Sequence, residues 1–375
     1  MKNVKLLFAL ALMSFFSFCK MDEVGINRYS LTDIACAPHN FTVEVPVGFP
    51  PVEVPIDNPM TREGVELGRH LFYDVRLSKG EKMSCGSCHL SKNAFSDPNR
   101  FSIGVNQQTT DRQSMAIQNL GLKQVSFFWD GRAASLEEQA LQPVENHIEL
   151  DENWDNVLKK LRADTMYHRL FRQAFCIHSR EEITKDLAAK AIAQFERTII
   201  VGGESRYHKI FVREPALGFA TDDELDGNEL FKEVRGHKGK CTHCHTTEGN
   251  LFKSGTGGLE FTNNGLDYVT DLNSFADNGH GRVTGNRNDN GKFRAPTLWN
   301  IALSAPYMHD GRFNTLKKMI DFYADAPKSG LNVNPEIFKI SLTEEERDKV
   351  VVFLEMLTDT VSLKKPEFQN PFLKK

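Results

Sequence analysis

A chain of 375 residues allows two or three domains at ~100–200 residues each. Hydrophobic residues make up 40% and charged residues 26%, which excludes a disordered or fibrous chain. A net charge of -4 excludes a strongly basic nucleic-acid binder, and no internal apolar run approaches the length of a membrane span.

Lys2 and Lys5 precede an apolar stretch from Leu6 to Phe18, of signal-peptide length. Cys19 follows directly, so residues 1–18 read as an export signal of lipoprotein type, with Cys19 as a lipid anchor. Ala35-Cys36-Ala37 resembles a small-residue cleavage site but lies far from the apolar stretch. Residues 19–57, with short extended runs such as Phe41-Thr-Val-Glu-Val-Pro46, read as an arm wrapped on the surface.

Helical patterns then dominate, so the fold class is mainly α. Ser179 to Glu182 reads as the start of a helix carrying Ile183, Leu187, Ala191, Phe195 and Ile199 on one face. Thr221 to Glu224 and Thr343 to Glu346 read as capping boxes, before Leu225, Leu230 and Phe231 and before Val350, Phe353 and Leu357. Gly202, Gly203, Pro215 and Gly218 mark residues 201–220 as a linker, and 254–291 reads as long loops.

The chain repeats itself. Gly68-Arg-His-Leu-Phe72 precedes Cys85-Gly-Ser-Cys-His89, and Gly227-Asn-Glu-Leu-Phe231 precedes Cys241-Thr-His-Cys-His245. Asp130-Gly-Arg-Ala-Ala-Ser-Leu136 is echoed by Asp310-Gly-Arg-Phe-Asn-Thr-Leu316, with Ser135 and Thr315 placed to cap following helices. This divides the chain into one cytochrome c-like domain at 58–200, a linker at 201–220, a second such domain at 221–360, and a tail at 361–375.

Cys-x-x-Cys-His is the attachment peptide of c-type haem. Two thiols at this spacing each bond a vinyl group, and the adjacent imidazole becomes the proximal iron ligand. A redox CxxC does not need the histidine. A zinc ribbon needs its pairs ~15–20 residues apart, whereas Cys88 and Cys241 are 153 apart. Two haems are therefore expected, on Cys85, Cys88 and His89 and on Cys241, Cys244 and His245. Cys36 and Cys176 remain, as a disulfide or as buried thiols. The 27 phenylalanines fit a Phe-rich core or the apolar walls of porphyrins.

The repeat separates the two sites. Thirteen residues after Asp310 stands Tyr323, whose phenolate can bind iron; thirteen after Asp130 stands Pro143, which cannot. Met308 and Met319 compete with Tyr323, because methionine is the commoner c-type ligand. An open first site admits peroxide, and Glu145, His147 and Glu149 lie near it as candidate acid–base groups.

From about residue 58 to 358 the chain resembles the bacterial diheme cytochrome c peroxidase family, whose superfamily includes the MauG enzymes. The segments that carry the resemblance are Leu67-Gly-Arg-His-Leu-Phe-Tyr-Asp-Val-Arg-Leu-Ser78, the two haem peptides, Phe128-Trp-Asp-Gly-Arg132, Glu138-Gln-Ala140, Phe195-Glu-Arg-Thr198 and Ala305-Pro-Tyr-Met-His-Asp-Gly-Arg312. The resemblance implies Glu149 as catalytic acid–base, Trp129 between the haems, and Gln139 and Pro143 in the distal pocket. It implies a calcium ion held by carbonyls of Ser304 and Pro306, with Gln113 where the family usually has Asn.

Two departures bear on the subtype. Ser102-Ile-Gly-Val-Asn106 has Val105 where many peroxidases carry a resting-state His ligand, so that off-switch is missing. Tyr323 stands where peroxidases use Met, as in the MauG branch. The expected activity is reduction of hydrogen peroxide in the periplasm, by electrons from a small cytochrome c or cupredoxin. A MauG-like oxidation of a protein substrate is the first alternative, and a non-enzymatic diheme electron carrier the second. Whether the chain forms a homodimer is left open.

Overall fold

A computed structural model describes residues 29–122, 126–213, 219–232, 239–246, 253–254, 260–325 and 330–373. The expected export signal and Cys19 lie outside the described residues, as do Pro215 and Gly218 of the expected linker. No helix among the described residues is long and apolar enough to cross a membrane.

Twelve helices are described, four of them a single turn. In the first half these are α1 (Arg62–Tyr73), α2 (Cys85–Cys88), α3 (Leu136–Glu145), α4 (Trp154–Ala163), α5 (Thr165–Phe175) and α6 (Lys185–Thr198). α7 (Arg206–His208) follows, then α8 (Asp222–Lys232), α9 (Gly281–Thr284), α10 (Leu316–Asp325), α11 (Glu344–Met356) and α12 (Thr360–Leu363). Among the described residues the strands form two antiparallel pairs: β1 (His245–Thr246) with β2 (Lys253–Ser254), and β3 (Phe261–Thr262) with β4 (Phe293–Arg294).

The helix starts follow side-chain chemistry. Thr61, Ser135 and Thr343 accept backbone N–H groups of Gly64, Glu138 and Glu346, and Thr315 Oγ1 accepts from Lys318. Both expected capping boxes form: Glu224 and Glu346 reach back to the backbone N–H of Thr221 and Thr343. The helix expected from Ser179 starts later. Ser179 caps only a 3-10 turn at Arg180–Glu182, and α6 takes Thr184 as its cap. Leu225, expected on the apolar face of α8, is exposed, while Leu230 and Phe231 are buried.

Two helix pairs make the same close approach. A Cβ on Gly68 of α1 would lie 1.9 Å from the Ala191 carbonyl of α6 and 2.9 Å from Phe195 Cβ. A Cβ on Gly227 of α8 would lie 2.1 Å from the Lys349 carbonyl of α11 and 3.0 Å from Phe353 Cβ. In each pair a glycine lets backbone meet backbone, and an aromatic one turn on closes the contact. The Asp-Gly-Arg segments also match: the bridges Phe127↔Ala133 and Tyr307↔Phe313 each enclose one, with Gly131 and Gly311 in the left-handed region.

One apolar cluster, including Leu67, Leu71, Phe171 and Ile192, belongs to the first half. A second runs from Phe72, Phe95 and Phe195 through Trp299 to Phe231 and Phe353, and so joins the two halves. Residues 201–213 pack into this seam: Tyr207 and Ile210 are buried, and the Gly202 N–H donates to Asp359 Oδ2 at 2.7 Å. The arm is tied down by bridges Ser30↔Ser179, Asn40↔Thr61 and Val52↔Leu122. Cys36 and Cys176 form a disulfide, Cα–Cα 5.4 Å, which closes the question that spacing left open.

Candidate functional site

The haem peptides sit on short turns. α2 carries Cys85 and Cys88, and a 3-10 turn at Cys241–His243 carries the second pair, with Cys244 and His245 following. All four thiols are free. Burial raises each of their pKa values, to about 11 for Cys88 and about 12 for Cys241. A buried thiol in apolar surroundings is inert until it is alkylated.

Each turn opens onto a cavity. The first, of about 530 Å³, is lined by His89, Gln139, Pro143, Asn146, Glu149 and Trp129 among others. A smaller recess of about 60 Å³ shares His89, Gln139, Pro143 and Glu149 with it and adds Cys85, Cys88 and Glu196. The second cavity, of about 180 Å³, is lined by Cys241, Cys244, His245, Met308, Met319 and Tyr323, with Gln113, Ser304 and Pro306. Trp129, Met115 and Arg294 line both large cavities and form the wall between them.

His89 is oriented by its backbone. Its Nδ1 donates to the Phe95 carbonyl at 2.9 Å, which leaves Nε2 as the free donor to a metal. Burial lowers its pKa, so the imidazole is held neutral, as ligation requires.

Glu149 follows the turn after α3. Burial pushes its carboxyl above the usual range, opposed by nearby Arg132 and by the Asn146 amide, which donates to Oε1 at 2.6 Å. A desolvated acid held by one amide is suited to carry a proton. Glu145 and His147, equally plausible from sequence, are exposed and line neither cavity. Pro143 lies inside α3 and lines the cavity.

The loop at Val105 packs against this segment. The Val105 N–H donates to the Glu149 carbonyl at 2.9 Å, and Gly104 approaches so closely that a Cβ would meet the Ile148 carbonyl at 1.9 Å. Val105 is buried there and has no donor atom to offer a metal.

Trp129 is fixed at both ends. Its Nε1 donates to the Gln113 carbonyl and its carbonyl accepts from the Arg294 N–H, each at 2.8 Å. Arg112 braces the same wall, with ion pairs of 2.6 Å to Asp130 and to Asp277. Arg294 is 5% exposed, and burial lowers its pKa to about 10, so it stays cationic at neutral pH. A buried cation between two cavities suits anionic ligand edges such as haem propionates. With free thiol pairs and an aimed imidazole, this wall fits two covalent haems.

Tyr323 projects from α10 into the second cavity. Burial raises its pKa to about 12, against the lowering effect of Asn264, whose Nδ2 donates to the phenol oxygen at 3.1 Å. Met308 and Met319 line the same cavity. Asn264 and Arg294 are absent from the sequence reading, since neither belongs to a motif. Gln113 is buried; its backbone N–H donates to the His309 carbonyl and its amide to the Asp97 carbonyl. Among the described residues no group of three or more His, Cys, Asp or Glu is arranged to hold a metal ion. A calcium ion at Gln113, Ser304 and Pro306 would therefore rest on carbonyl oxygens.

The chain matches the family described as di-haem cytochrome c peroxidase over residues 62–215. It is 33% identical over 310 residues to a methylamine utilization protein MauG of Methylorubrum extorquens, covering 81% of this chain and 80% of that one. It is 32% identical over 315 residues to a cytochrome c551 peroxidase of Nitrosomonas europaea, covering 84% of each. Among solved structures, a MauG-like protein associated with microbial copper homeostasis superposes with a TM-score of 0.79 at 34% identity, covering 89% of this chain and 100% of that one. With the paired cavities and their haem peptides, these relatives establish that the chain belongs to the di-haem cytochrome c peroxidase and MauG family.

Proposed function

We propose that the protein is an exported di-haem peroxidase, reducing hydrogen peroxide to water with electrons from a small redox protein such as a cytochrome c or cupredoxin. The carrying observation is the unlike build of the two cavities on either side of Trp129. Among the described residues, the first has the desolvated acid Glu149 beside Pro143 and no tyrosine in its lining; the second has the phenol of Tyr323 beside Met308 and no acid in its lining. Covalent haems on Cys85 and Cys88 and on Cys241 and Cys244 would together supply the two electrons that O–O cleavage takes, and the donor protein would restore them one at a time.

The protein's own groups do the rest. His89 and His245 would hold the haem irons. Glu149 takes a proton from one peroxide oxygen and returns it to the other, and Asn146 keeps the carboxyl aimed. Gln139 and Pro143 shape the space in which peroxide sits. Trp129 links the cavities for electron passage, and Arg294 would balance the charge of the propionates. Val105 offers no side-chain ligand at the position where many peroxidases carry a displaceable histidine. The twice-used glycine approach of α1 with α6 and α8 with α11 supports two domains of common origin, at 58–200 and 221–360. Gln113, Ser304 and Pro306 would hold calcium between them.

Glu149→Gln is expected to lower peroxide turnover by roughly 10²-fold or more with both haems still attached. Near-normal turnover would exclude the acid–base role. Tyr323 in the second cavity favours a second reading, MauG-like oxidation of a protein substrate. Steady-state oxidation of reduced cytochrome c by peroxide separates the two, since a MauG-like enzyme would be slow at it.

A further inference from the structure

The second cavity offers two donors to one position. Tyr323 Oη lies 3.9 Å from Met308 Sδ, and Asn264 Nδ2 reaches both, at 3.1 Å to Oη and 3.4 Å to Sδ. The amide is held in this sense, because Asn264 Oδ1 accepts the backbone N–H of Leu266 at 3.2 Å and closes an Asx turn. Its two N–H bonds are thus left for the oxygen and the sulfur. Met308 is equally fixed. Its backbone is left-handed, φ 73°, inside the turn closed by the Tyr307↔Phe313 bridge, and its carbonyl accepts from Gly311. All three side chains line the cavity that holds Cys241, Cys244 and His245.

We infer that Tyr323 and Met308 are alternative axial ligands for a single iron position, and that Asn264 is the positioning residue that gives the phenolate priority. The inference rests on the di-haem reading of this cavity. An N–H donated to a phenolate oxygen stabilises its negative charge and holds the ring in place. The other N–H donates to the sulfur and competes with iron for its lone pairs. A phenolate is an anionic hard donor and a thioether a neutral soft one, so the choice between them sets the potential of the second haem. Asn264 therefore controls that potential without touching the metal.

The test is spectroscopic, on holoprotein whose haem stoichiometry is first shown to be two. Wild-type protein should lack the methionine-to-iron charge-transfer band. Tyr323→Phe should keep a low-spin six-coordinate second haem, gain that band and rise in potential. Adding Met308→Leu should remove the band and leave a high-spin haem. Asn264→Leu, with Tyr323 intact, should show the band in part of the population. A high-spin Tyr323→Phe protein, or a low-spin one without the band, would overturn the pairing. An Asn264→Leu spectrum identical to wild type would overturn the selecting role. A wild-type protein that already carries the band would instead remove Tyr323 as the ligand, and the inference with it.

Discussion

Glu196 is a buried acid in the wall of the first haem recess, beside Cys85. It is 4% exposed, and its Oε2 has no hydrogen-bond partner among the described residues. Burial raises its pKa from 4.5 to about 8; Arg197 opposes the rise and Glu137 adds to it. The folded protein therefore keeps the proton to higher pH than the unfolded chain does. Stability must fall as pH rises from about 4.5 to about 8, and the loss is complete above that. The gap between these two values, at ~1.4 kcal/mol per pH unit, makes the full loss about 5 kcal/mol. Glu196→Gln keeps the shape and removes the proton linkage. Urea unfolding of holoprotein from pH 5 to 8 should show nearly equal midpoints at the acid end. The variant's advantage should then grow to about 4 kcal/mol at pH 8 and approach the full ~5 kcal/mol above it. Parallel pH profiles would refute the reasoning, because they would mean that Glu196 ionises alike in both states.

Three further outcomes are expected. Gly68→Ala and Gly227→Ala should each destabilise by ~1–3 kcal/mol in thermal unfolding, since the added methyl meets a backbone carbonyl that cannot turn aside. Cys176→Ser should cost ~2–4 kcal/mol under oxidising conditions, and a reducing agent should erase the difference from wild type. Chelation with EDTA followed by dialysis should lower turnover if calcium bridges Gln113, Ser304 and Pro306, and added calcium should restore it; unchanged turnover would dismiss that site.

The sequence by itself singled out the two peptides where haems would attach, because thiol, thiol and imidazole must sit at one spacing to meet a porphyrin. It also located the helix caps at Thr221 and Thr343, since capping is local chemistry between residues three apart. It placed Trp129, Glu149 and Tyr323 as candidates through the repeat and the family resemblance. Local chemistry could not separate Glu149 from Glu145 and His147, since each can move a proton; burial separates them, and burial depends on how α3 packs. Nor could it find Asn264, Arg294 or the unpartnered oxygen of Glu196. Each owes its role to groups far away in the chain: Asn264 to Met308 and Tyr323, Arg294 to Phe128 and Trp129, Glu196 to Cys85. The Cys36–Cys176 disulfide belongs with them, because 140 residues of chain must fold before the two sulfurs meet. Only the tertiary structure decided these, because desolvation and long-range contact exist only once the chain has closed on itself.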